Sequence, residues 1–190
     1  MSDKPSCSES PLPPRPVHFL IRGLEAVTEI TGRCTSWLAP LMVLATCAVV
    51  VLRYALGQGS VALQESVTYM HAALFLLGAG YALKHQHHVR VDIFYRRFSP
   101  VGRHWVDALG GLVFLLPLAV FTGWISKDFV LSAWRIREQS ADAGGLAWVY
   151  LLKTLIPAFA LSLLVQVLAE TLRHLLALMG YRVTSPEDRL

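Results

Sequence analysis

Four stretches without a single Asp, Glu, Lys or Arg, each nearly long enough to cross a bilayer, constrain this chain more than any other feature. Cys34 to Leu52 is 19 residues without a charge, Ser66 to Leu83 is 18 and Ala108 to Ser126 is 19. Ionisable residues such as Arg53, Glu65, Lys84, Asp107 and Lys127 bound these stretches. The fourth, Thr154 to Ala169, is 16 residues and continues backwards through Trp148–Leu152, interrupted by Lys153 alone. A helix needs about 20 mostly apolar residues to cross about 30 Å of hydrocarbon, and a lysine one turn inside a helix end can snorkel to the interface. The implied fold is an all-α integral membrane protein with four transmembrane helices. Composition agrees: 54% of the residues are hydrophobic and 16% charged, against about 25% charged in a soluble domain.

The expected spans are 35–56, 61–84, 103–127 and 148–172, within a single membrane domain covering 17–176. An unstructured arm (1–16) precedes it and a tail (177–190) follows. Residues 1–16 are polar and proline-rich, unlike a secretory signal, so span one is expected to be retained as an anchor. Val17 to Arg33 places Leu20, Leu24, Val27 and Thr31 on one helical face, with Arg22, Glu25 and Glu29 elsewhere. That pattern fits either an amphipathic helix at the cytoplasmic surface or an extension of span one.

Orientation follows from the basic residues, because short loops rich in Lys and Arg stay in the cytoplasm. Of the 17, twelve fall in the N-terminal arm, the middle loop and the C-terminal tail, and five on the other side. Both termini and the middle loop are therefore expected to be cytoplasmic. Trp37, Tyr54, Trp105, Trp124, Trp134 and Trp148 lie near predicted helix ends, where aromatic belts form. The net charge of +4 is accounted for by this topology and by attraction to membrane lipid, so no nucleic acid partner is expected. Cys7, Cys34 and Cys47 have no paired spacing and are expected to be free thiols.

Polar residues in or beside the spans are the functional candidates. Arg53 ends span one and Glu65 opens span two, across the short turn Gly57-Gln58-Gly59-Ser60. An ion pair between them would clamp the hairpin, and a carboxylate in a first helical turn is also favoured by the helix dipole. Either residue could instead meet a partner subunit. His85, His87 and His88 could suggest a metal, but no cysteine pair or carboxylate cluster completes a site, so a solvated loop is the simpler expectation. His71 lies inside span two, where a lone histidine usually hydrogen-bonds a neighbouring helix. His104 and His174 sit at helix ends and form a poor pair for haem, which needs two facing axial ligands. The expectation is no catalytic site, no metal and no cofactor.

After span two, His88-Val89-Arg90-Val91-Asp92 alternates polar and apolar residues as an extended segment does. Asp92 can cap a short interfacial helix, Ile93 to Phe98, and Ser99-Pro100 restarts a helix. Gly78 and Gly80, with Ala72, Ala73, Ala79 and Ala82, form a small-residue face for close packing. Pro40, Pro117 and Pro157 can kink their helices.

Several of these runs resemble one family. Arg53-Tyr54-Ala55-Leu56-Gly57, Gln64-Glu65, Phe75-Leu76-Leu77-Gly78-Ala79 and His88-Val89-Arg90-Val91-Asp92 resemble the DctQ family, the small membrane subunits of tripartite ATP-independent periplasmic (TRAP) transporters. Weaker likeness continues through Glu138-Gln139-Ser140 and Pro157-Ala158-Phe159-Ala160-Leu161, so that it covers roughly residues 35 to 170. The family often carries a Trp shortly before a Glu-Glu pair and a Pro before the last span; here Ala62 and Gln64-Glu65 stand at the first, and the loop before Trp148 lacks the proline. The resemblance marks Arg53, Tyr54, Gly57, Glu65, Gly78, His88, Arg90 and Asp92 as family-motif and subunit-packing candidates. It implies a bacterial inner-membrane protein that pairs with a large, multi-span DctM-like permease subunit and works with a periplasmic solute-binding protein. It further implies secondary transport of organic acids of dicarboxylate or sugar-acid type, with solute and sodium handled by the large subunit. In that scheme the small subunit is a scaffold rather than an enzyme. The alternative from another class is a four-helix membrane cytochrome b-like electron-transfer subunit.

Overall fold

The computed structural model describes residues 15–85 and 99–181, and these are helical apart from short connections. Among them α1 (Arg15–Ser36), α2 (Leu38–Tyr54), α3 (Val61–Lys84), α4 (Pro100–Gly110), α5 (Leu116–Ile136) and α6 (Val149–Leu178) follow in order, with a π-helical turn at Gly111–Leu115 joining α4 to α5. Four continuous runs are long and apolar enough to cross a membrane: Phe19–Tyr54, Val61–Lys84, Val101–Ile136 and Val149–Leu178. The N-terminal arm before Arg15, the His88–Asp92 segment, the expected interfacial helix 93–98 and the tail from 182 lie outside the described residues.

Two of the irregularities trace to prolines. Pro40 has no N–H to offer the carbonyl of Ser36, and its ring crowds that carbonyl. The boundary between α1 and α2 falls there, at Trp37, whose backbone stays helical (φ −66°, ψ −18°). Residues 17–33 are helical, and α1 runs into α2 through a single helical residue. Pro117 likewise conflicts with the carbonyl of Val113, and the widened turn at Gly111–Leu115 precedes it, with Leu116 N–H bonding Gly111 O. The third run passes the expected end at 127 without a break, because Lys127 and Asp128 are tolerated in a helix whose solvent or headgroup end they can reach. Arg137, at φ 47°, ends α5 in the left-handed conformation.

α6 is the central element. It packs against α1, α3, α4, α5 and the π-turn, while α2 packs chiefly on α3. The tightest apolar cluster is Ala119 of α5 with Leu163 and Val167 of α6, flanked by Leu83, Leu115, Leu116, Phe159 and Leu164. Close approach between helices depends on glycines, Gly32 and Gly80 among them. A Cβ on Gly80 would meet the carbonyl oxygen of Ser162 at 3.1 Å, and one on Gly32 would overlap the Tyr81 ring. Gly80 thus performs the close packing expected of span two, whereas a Cβ on Gly78 would meet nothing within 4 Å. The outward faces are apolar: Phe75, Phe114 and Trp124 are all more than 70% exposed, as suits helices facing hydrocarbon or another subunit.

Candidate functional site

The side-chain hydrogen bonds and ion pairs that join helix to helix gather at the two ends of the bundle. At one end α1, α3, α4 and α6 converge. Glu25 and Glu29 stand one turn apart on α1. Glu29 accepts hydrogen bonds from Lys84 Nζ at 2.7 Å and Arg33 Nε at 2.9 Å, and its Oε2 lies 3.1 Å from His85 Nε2. Lys84, itself buried, also donates to the Glu25 carbonyl at 3.2 Å. The Glu25 carboxylate in turn receives Arg173 Nη2 of α6. Arg173 Nη1 donates to Glu170 at 3.2 Å, and Gln166 Nε2 donates to the same carboxylate at 3.0 Å. Gln166 is fully buried, and its Oε1 finds no donor among the described residues.

The network continues to α4. His174 Nε2 lies 3.7 Å from Glu170 and 3.8 Å from Asp107, and His174 Nδ1 is 3.0 Å from His104 Nδ1. At that separation one ring supplies the N–H and the other the lone pair, so the contact requires at least one neutral imidazole. The two histidines do meet, then, although they sit at helix ends. At 3.0 Å they are too close to be the two axial ligands of one haem, since trans iron–nitrogen bonds of about 2 Å place their donors about 4 Å apart. Among the described residues no group of three or more His, Cys, Asp or Glu is placed to hold a metal ion. A cavity of about 280 Å³ opens beside the network, with Asp107, Glu170 and His174 on its polar side and Leu83, Val106, Leu115 and Val167 on its apolar side. That is just under the range of about 300–1,000 Å³ usual for small-molecule sites.

At the other end Glu65 organises the loop between α5 and α6. Ser60 caps α3, its Oγ accepting from Leu63 N at 3.3 Å, and sets Glu65 early in the helix. The Glu65 carboxylate accepts the Ser140 hydroxyl and, at 2.6 Å, the Leu146 N–H. Ser140 N–H bonds Leu146 O at 3.0 Å, closing the loop on itself. A side chain at Gly145 would collide with both Ser140 and Glu65, which explains the glycine. Beside the loop, Lys153 pairs with Glu138 at 2.5 Å with its ammonium 4.0 Å above the Phe129 ring. Trp134 Nε1 donates to Thr154 at 2.8 Å.

The hairpin clamp between Arg53 and Glu65 does not form. The acceptors of Glu65 are taken by the loop, and Arg53 is exposed with no bond to any described residue. Tyr54 is 80% exposed. Gly57 (φ 65°) turns the chain away after α2 in the left-handed conformation, with Gln58 N–H on Leu52 O at 2.9 Å. His71 faces outward and bonds no neighbouring helix among the described residues. His88, Arg90 and Asp92 lie outside the described residues. The charged end was not found from sequence, although one signal existed: Glu25 and Glu29, and Gln166, Glu170, Arg173 and His174, each occupy one helical face.

This geometry is that of a bundle braced at both ends with no reactive constellation among the described residues. Comparison with protein families settles what kind of bundle it is. The family model for tripartite ATP-independent periplasmic transporters, DctQ component, matches residues 42–177. The chain belongs to the DctQ family. Among curated proteins and among solved structures nothing matches. The DctQ match begins inside α2 and ends at the last turn of α6, so it takes in the loop held by Glu65 and most of the charged end, but not Glu25 and Glu29 on α1. DctQ proteins are the small subunits of TRAP transporters, and family membership implies partnership with a large permease and a solute-binding protein.

Proposed function

We propose that this chain is the small subunit of a secondary TRAP transporter for organic acids of dicarboxylate or sugar-acid type, serving as a non-catalytic scaffold for the large DctM-like permease. It lies in a bacterial inner membrane with both termini cytoplasmic. The large subunit handles solute and the coupling ion, sodium by family precedent, and a periplasmic solute-binding protein delivers the solute.

The observation that carries this proposal is the DctQ family match across four membrane-length helices. Helices that move solute are commonly broken near mid-membrane. Here the spans are continuous, and their ionisable side chains are engaged mainly at the bundle ends, in contacts that tie helix to helix. Such bracing suits a platform that stays still while another subunit moves. With the Glu65-held loop at the outer surface, the charged α1–α3–α4–α6 junction is at the inner one.

The test is solute uptake in cells that produce the large subunit and binding protein with and without this chain. Uptake should require the chain, and the chain alone should give none. Uptake by the chain alone would refute the scaffold role, and full uptake without it would show the subunit to be dispensable.

A further inference from the structure

Five residues of α3 before its last turns are exposed: Val61, Gln64, Thr68, His71 and Phe75. Their spacing alternates three and four, and the next position in the series is Gly78, around which a side chain would meet nothing within 4 Å. That is the 3.5-residue repeat of a helix seam made to receive another helix. The other positions of α3 are half-buried or buried, and the helix packs against α1, α2 and α6, so the seam is a single exposed stripe down the open side.

Its composition is wrong for lipid. Gln64, Thr68 and His71 have no side-chain hydrogen bond to any described residue, although α3 is a membrane-length helix. Thr68 differs in this from Thr31, Thr46 and Thr154, whose hydroxyls bond the carbonyl one turn back. At about 1.5 Å per residue, His71 is about 15 Å into a helix about 36 Å long, near mid-membrane. A polar group left unpaired in hydrocarbon costs several kcal/mol, and ionisable residues in spans almost always face protein or water.

We infer that this stripe of α3 is the docking seam for a transmembrane helix of the large permease subunit. That helix presents hydrogen-bonding side chains to Gln64, Thr68 and His71 and seats a bulky apolar side chain beside Phe75, over Gly78. The inference rests on the TRAP-subunit proposal and adds to it the face by which the subunits join.

The experiment is photo-crosslinking in native membranes, with Phe75 replaced by p-benzoylphenylalanine in the full chain, produced together with the transporter's other subunits. The expected product is a covalent adduct to the large subunit. An adduct to a second copy of this chain, or no polypeptide adduct, overturns the inference. Two variants extend the test. Gly78→Trp, whose Cβ meets nothing within 4 Å in this chain, fills the open notch and should abolish co-recovery of the large subunit. Gln64→Leu/Thr68→Val/His71→Leu removes three interhelical hydrogen bonds, each worth about threefold in association, and should weaken it roughly twentyfold. Unchanged recovery in both overturns the seam. If the wild-type chain recovers the large subunit but Phe75 gives no adduct to it, the subunit role stands and this face is wrong. If wild type recovers none, both fall.

Discussion

The carboxylate of Glu65, early in α3, accepts the backbone N–H of Leu146 at 2.6 Å, fastening the start of one span to the loop that leads into another. The same carboxylate takes the Ser140 hydroxyl, so one side chain fixes both arms of the α5–α6 connection. Glu65→Ala would leave a backbone N–H and a hydroxyl without their acceptor, at a cost of about 1–3 kcal/mol. The purified variant should unfold at a lower temperature in detergent and be cleaved faster by protease within residues 139–147. Glu65→Gln keeps an acceptor oxygen and should lose less.

Arg173 and Glu25 join α6 to α1 with both side chains nearly buried, 8% and 13% exposed. Removing one partner of such a pair strands the other and costs about 3–5 kcal/mol. Arg173→Met should therefore destabilise strongly, because Glu25 and Glu170 both lose the Arg173 guanidinium. Adding Glu25→Gln to it should restore part of the loss. Denaturant titration of the four proteins of this cycle in mixed micelles measures the coupling.

Two glycines of α1 separate packing from helix propensity. Gly32 lies against the Tyr81 ring, whereas Gly23 has nothing within 4 Å. Gly32→Ala should destabilise by about 1–3 kcal/mol through overpacking. Gly23→Ala should stabilise by up to about 1 kcal/mol, since alanine favours the helix. Thermal midpoints moving in opposite directions would bear out the docking of α1 on α3.

The sequence made the four spans legible because apolar runs of that length leave a chain few alternatives. It made the ends illegible for the opposite reason: hydropathy treats each charge as a border and says nothing of what the charge meets. Arg53 seemed the natural partner for Glu65 because it is near in the chain, yet Glu65 reaches Leu146 across the bundle instead. Lys153, expected only to snorkel, finds Glu138 and the face of Phe129. His104 and His174 were set aside by their position at helix ends, and it is the antiparallel packing of α4 on α6 that brings those ends together. Gly78 and Gly80 looked equivalent in sequence, but only Gly80 turns toward α6.

The central claim is that this chain works as a scaffold bound to a larger permease. Its most direct test is affinity purification of the tagged chain, produced at native level in its own host and gently extracted, with quantification of what accompanies it. A large polytopic permease in near-equal amount is the predicted result. Recovery of the chain alone, stable and monomeric, would contradict the account.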